Sequence, residues 1–236
     1  MATLWLRVRA PFAAFRWFQA GVYRATTPVM PPSAAYGLLL NLAAIEMRDH
    51  TAGDATTTLI RPDLPVLRLA LGVITPAERG VLYQQLHTYP VGDSGAEFKP
   101  RTHGAKYWIT PAKREILIDL DCVIGAQAED SSLFDRVRQG LRGNLDTLRY
   151  GLPFAGDNNF LIDRIDELSI PPDTSMWYAR MQPDDPPRKG SCRLTVGIDR
   201  ADNSKTTSLL YAPTDTTSSE PPVLAWTWTP REPTLP

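Results

Sequence analysis

Two adjacent prolines, Pro31 and Pro32, stand directly ahead of a long apolar run from Tyr36 to Ile45. Proline fixes its own backbone and keeps the residue before it extended, so no helix can start earlier. The run itself has helical spacing. Tyr36, Leu39, Leu40, Ala43, Ala44 and Met47 share a face, and Leu38, Leu42 and Ile45 widen it. The pattern predicts a buried helix from Ser33 to about Arg48, with Ser33 as the N-cap. Gly37 inside it lowers helix propensity by roughly 1 kcal/mol against alanine, which points to a close backbone neighbour. Ahead of the prolines, Leu4, Leu6 and Val8 alternate with Trp5, Arg7 and Arg9, a period-two strand over Thr3–Arg9.

Between strand and helix lies a basic, aromatic loop. From Met1 to Ile45 there are four arginines (Arg7, Arg9, Arg16, Arg24) and no acidic residue. The start of a helix exposes N–H groups and the positive end of a dipole. Arg16, Arg24, Thr26, Thr27 and Ser33 therefore form a candidate phosphate site. The same residues also fit a buried helix with solvated arginines nearby.

The segment "RAPFAAFR…YRATTPVMPPSAAYGLLLNLAAIE" resembles the opening of the CRISPR-associated Cas-five family. It is closest to members of subtype I-B-like and myxococcal-type systems. The resemblance runs to about Phe160. It implies an α+β chain with a ferredoxin-like (RRM-like) domain over 1–170. It also implies a β-hairpin thumb at about 87–114. The region 171–236 reads as a small β-rich extension with a loose tail. The implied role is non-catalytic: a subunit of a type I Cascade that caps the five-prime handle of the CRISPR guide RNA. Implied partners are Cas-seven-type backbone subunits, the large Cascade subunit and, through the complex, target DNA. No cofactor or metal is implied.

With a net charge of −1, any nucleic-acid site must come from local charge separation. Cys122 and Cys192 lie far apart, with no C-x-x-C spacing, and read as free thiols of a reducing compartment. Arg7, Arg9 and Arg16 interrupt the apolar Trp5–Phe18 stretch, which is neither a signal peptide nor a membrane span. A cytoplasmic location is expected.

Leu64–Ile74 is a second strand candidate. Thr75-Pro76-Ala77-Glu78 has the form of a capping box and predicts a short helix through Val81 and Leu86. In the 87–114 stretch, Lys99, Arg101, Lys106, Lys113 and Arg114 interleave with Phe98, Tyr107 and Trp108. Cations follow a phosphate backbone and aromatic faces stack splayed bases. Lys99, Arg101, Lys106 and Tyr107 are the thumb candidates; a solvated hairpin is the plain alternative. Over Glu115–Ile124 the alternation predicts Ile116, Ile118, Leu120, Cys122 and Ile124 on one face. Asp119 and Asp121 fall on the wet side and are not a metal pair. Ser131 or Ser132 caps a helix with Leu133, Phe134, Val137 and Leu141 inward. Asn158 and Asn159 lie in a glycine-punctuated loop resembling the family segment near the handle pocket.

Catalytic readings are weak. Gly92-Asp93-Ser94-Gly95 lacks the upstream histidine segment of trypsin-like proteases, and His50, His87 and His103 have no metal-ligand spacing. Glycine-rich 151–156 is not followed by Gly-Lys-Ser/Thr, so it is no Walker loop. The subtype I-C branch cleaves repeat RNA without metal. His103, Lys106 and Tyr107 could supply its residue types, but the adjacent Lys-His pair of that branch is missing. A structural adaptor that contacts only protein is the remaining alternative.

Overall fold

The computed structural model describes residues 1–17, 22–49, 59–87 and 109–233. In chain order the strands are β1 (Ala2–Ala13), β2 (Tyr23–Arg24), β3 (Arg48–Asp49), β4 (Leu59–Ile60), β5 (Leu67–Thr75), β6 (Glu78–His87), β7 (Ile109–Ala128), β8 (Arg164–Leu168), β9 (Met176–Arg180), β10 (Cys192–Gly197), β11 (Thr207–Pro213) and β12 (Thr227–Thr229). Helix α1 (Pro32–Leu42) follows β2, and α2 (Ser132–Leu141) follows β7. Among the described residues the architecture is thus α+β, mostly sheet. Ten strands form one sheet in the order β10-β11-β9-β5-β7-β1-β8, with β12 also on β5 and β2 and β6 also on β7. Its ladders are antiparallel except β2–β7.

Alternation along β1 sorts the two faces of the sheet. Leu4, Leu6 and Val8 point into the main core with Leu39, Leu40 and Leu42 of α1 and Phe134 and Val137 of α2. Trp5, on the other side, packs on a second cluster of Trp177, Trp226, Ala70 and Val123. Its ring centroid lies 5.9 Å from that of Trp177 and 5.7 Å from that of Trp226. The strands after residue 171 feed both clusters: Tyr178, Leu194 and Tyr211 enter the first and Trp177 the second.

The helix start and stop differ from the sequence expectation. Pro31 is the N-cap and Pro32 the first helical residue, while Ser33 makes no capping bond. Pro at that position costs nothing, since its missing N–H would have no partner. The helix stops at Leu42, well before Arg48. Ala44 adopts φ 54, and its N–H reaches Asn41 O at 3.0 Å while Ile45 N–H reaches Leu40 O at 2.9 Å. That is a Schellman stop, which satisfies carbonyls the helix would leave open.

The capping-box helix does not form. Glu78–His87 is β6, and each of its residues pairs with β7 over Ile109–Ile118. A local cap is worth about 1 kcal/mol. A long ladder against an already ordered strand outweighs it. β7 also changes its inward parity. Leu117, Leu120, Cys122 and Ile124 are core residues, whereas Ile116 and Ile118 lie on the opposite face beside Gly80. Asp119 turns the strand by taking φ 58, and β1 switches with it, from Ala10 to Ala13. For α2 the bonding cap is Asp130, whose carboxylate accepts from the Ser132 N–H at 2.9 Å; Ser131 holds the N-cap position without a side-chain bond. Among the described residues no helix is long and apolar enough to cross a membrane.

Candidate nucleic-acid cleft

The chain after β1 is clamped by short-range bonds. Phe15 N–H donates to Thr26 Oγ1 at 2.8 Å, and Thr27 N–H to Phe15 O at 3.0 Å. Thr26 N–H donates to Glu115 Oε2 at 2.9 Å, and Glu115 is held by Arg79 at 3.0 Å. Thr27 Oγ1 donates to Val29 O at 2.7 Å. Both threonines are buried, so their hydroxyls shape the loop and do not face a ligand. With Phe15 turned inward, Arg16 turns outward.

Arg16 opens onto a cleft of about 590 Å3 along the flank of α1. Ser33, Gly37 and Asn41 line one wall; Trp17, Tyr150 and Phe154 give it flat aromatic surface. Arg200 and Asn203, from the β10–β11 connection, close the far side. A second cleft of about 440 Å3 shares Ser33, Met47, Ile198 and Arg200 and continues past Lys205 and Arg231. Among the described residues no carboxylate pairs with Arg16 or Arg200. Gly37 has no close backbone neighbour, contrary to expectation: an added Cβ would meet only Met47 Sδ, at 3.7 Å.

The first turn of α1 offers few free donors. Pro31 and Pro32 have no N–H, and the N–H groups of Ala34 and Ala35 go to Pro31 O at 2.9 and 3.1 Å. Ser33 is left to offer its N–H and hydroxyl. The loop after α2 is fixed by Gly156, at φ 81, where a Cβ would stand 2.3 Å from Ala14 O. Asp157 ties this loop to β7 through Arg114 at 2.5 Å and accepts from Asn159 N–H at 2.8 Å. The loop presents Phe154 and Gly156 to the cleft. Asn158 and Asn159 sit on its turn and are not lining residues.

The sequence candidates thus separate. Arg16 and Ser33 meet at the cleft. Thr26 and Thr27 are internal, and Arg24 lies on β2 beside β7. Lys99, Arg101, His103, Lys106 and Tyr107 lie outside the described residues. The arginine face of β1 is neutralised: Arg7 makes a two-pronged bond to Asp121 at 2.8 and 2.7 Å, and Arg9 meets Asp166 at 3.0 Å. Arg164, with Arg9, holds the Asp166 carboxyl below its usual range. Asp121 is therefore spent on Arg7, and among the described residues no three His, Cys, Asp or Glu side chains cluster as metal ligands. Burial raises the Tyr150 hydroxyl pKa.

The α+β body thus carries a cleft that Arg16 and Arg200 line, with no carboxylate paired to either among the described residues. The family model for "CRISPR-associated protein (Cas_Cas5)" matches residues 3–143, more than half of the 236-residue chain. The chain belongs to the Cas-five family of CRISPR-associated proteins. Its fold is similar to a solved chain described as "CRISPR RNA-guided surveillance complex", with a TM-score of 0.58 at 13% identity over 92% of this chain and 91% of that one. A solved "Cas protein" aligns at TM-score 0.47 and 13% identity, over 92% of this chain and 96% of that one. No curated protein matches the sequence.

Proposed function

We propose that this chain is the guide-RNA-binding subunit of a type I CRISPR surveillance complex, a Cascade, where it caps the five-prime handle. The observation that carries the reading is the α1 cleft, where Arg16 and Arg200 keep their charge unpaired among the described residues while Arg7 and Arg9 are neutralised. Family membership and the likeness to a surveillance-complex chain support it. The run β1-α1-β5-β7-α2-β8, with strand order β5-β7-β1-β8, supports a ferredoxin-like body. The β6–β7 pairing supports the thumb reading, whose candidates Lys99, Arg101, Lys106 and Tyr107 lie outside the described residues.

In this reading the two arginines and Ser33 meet handle phosphates. Trp17, Tyr150 and Phe154 offer faces to unstacked bases. Target sequence is read by guide pairing, with this chain holding the guide in place. Cas-seven-type filament subunits and the large subunit are the proposed neighbours. The role is binding, without catalysis.

The test is binding of labelled repeat RNA, with and without its five-prime handle, to the full chain. Handle-dependent binding is expected, with intact RNA on a denaturing gel. Arg16→Gln and Arg200→Gln should each weaken binding across sequences and flatten the salt slope by about one unit. Unchanged slopes in both variants would remove the cleft from the interface, and a discrete cut would make the chain a nuclease.

A further inference from the structure

The neck of the β6–β7 hairpin carries a surface that the cleft does not use. β2 lies on one side of β7 and β6 on the other. Tyr23 pairs with Lys113, and Lys113 with Tyr83. Directly paired residues point to the same face, on strands about 4.8 Å apart. The three side chains therefore form one row, tyrosine, lysine, tyrosine. Tyr23 is 44% exposed and Tyr83 74%, and Lys113 is exposed between them. Lys113 Nζ sits 5.5 Å from the Tyr83 ring centroid. Among the described residues no carboxylate pairs with Lys113 or with exposed Arg24 next to it; the nearby Glu115 is buried and held by Arg79.

A tyrosine as exposed as Tyr83 contributes little to the core. Tyr83 and the less exposed Tyr23 flank an ammonium that rests over one face of the Tyr83 ring and has no carboxylate partner among the described residues, which leaves the outer ring faces and the charge to match the bases and phosphates of single-stranded nucleic acid. The row is also continuous with the cleft. Val22 O accepts from Lys113 N–H at 2.7 Å, and Ala25 O accepts from Trp17 N–H at 3.4 Å, so one short segment borders both surfaces.

We infer that Tyr23, Lys113 and Tyr83 form a stacking platform for unpaired RNA bases, with Lys113 meeting the phosphate between them. The inference rests on the RNA-binding reading above but concerns residues outside the cleft. Stacking on an aromatic face is sequence-tolerant, because every base has a π-face. The platform therefore holds RNA without selecting its sequence.

The experiment uses the full chain and single-stranded RNAs carrying 2-aminopurine at successive positions. At one or two positions the fluorescence should fall on binding. Tyr23→Leu and Tyr83→Leu should each lower affinity at least about fivefold and abolish that quenching, with the salt slope unchanged. Lys113→Gln should flatten the slope by about one unit, and Tyr83→Phe should bind as the wild type. If both leucine variants bind normally while Arg16→Gln and Arg200→Gln bind weakly, the platform is overturned and the cleft reading stands. A folded wild-type chain that binds no RNA overturns both.

Discussion

At the scale of single residues, the cleft poses a conflict at Gly37. A helix-interior glycine lowers stability by roughly 0.5–1 kcal/mol against alanine. The packing does not require it, because an added Cβ would make ordinary contact with Met47 Sδ at 3.7 Å. Gly37 lines the cleft without a side chain. Gly37→Ala should therefore raise the urea midpoint by the equivalent of about 0.5–1 kcal/mol and, on the RNA-binding reading proposed above, weaken RNA binding several-fold. A stabilised variant with unchanged affinity would show that RNA does not touch this wall. Arg16 and Ser33 were legible in the sequence because they flank an apolar helix start. Arg200 and Asn203 were not. They reach the cleft through a turn in which the Asp199 carboxylate accepts the N–H groups of Ala201 and Asp202 at 2.9 and 2.8 Å. Such a turn carries no sign of what its arginine will face.

At the scale of elements, the packing of α1 on α2 depends on one missing side chain. A Cβ on Gly140 would lie 1.8 Å from the Leu42 carbonyl oxygen. That neighbour is backbone, so no rotamer change relieves the clash and the helices must move apart. Arg136 Nε, which donates to Ala43 O at 3.1 Å, would lose its partner in the same displacement. Gly140→Ala should cost about 3 kcal/mol, read as a lower denaturant midpoint with a normal slope. A midpoint within experimental error of the wild type would refute this packing. Elements with a clean period, β1 and the centre of α1, could be read from the sequence. β6 could not, because its state is decided by a ladder with a strand that begins at Ile109. The parity change in β7 was hidden for a related reason: it depends on one left-handed residue, Asp119, within an otherwise regular alternation.

At the scale of the whole molecule, four titratable groups from β7, β9, β10 and β11 are packed into one core. They are Cys122, Tyr178, Cys192 and Tyr211. Burial pushes each of their pKa values up to about 12, from ordinary values of 9.0 for the thiols and 10.0 for the phenols. Tyr211 also shares a hydrogen bond with Thr227 at 2.8 Å, which ties the last strand to the same core. The folded state keeps these groups protonated where the unfolded chain loses its protons. Below about pH 9 both states hold them and stability does not depend on them. Between about pH 9 and 12 the unfolded state binds fewer protons, so stability falls as pH rises. Because the core is shared, the loss should appear as one cooperative transition. The urea midpoint should be level from about pH 7 to 8.5 and then decline steadily. A Cys122→Ala/Cys192→Ala variant, less stable at neutral pH, should begin its decline about one pH unit later, where the phenols alone titrate. Both thiols of the wild type should resist Ellman's reagent at about pH 8 until denaturant is added. A midpoint that stays level to about pH 11, or thiols that react in the native state, would mean that the C-terminal strands do not close this core.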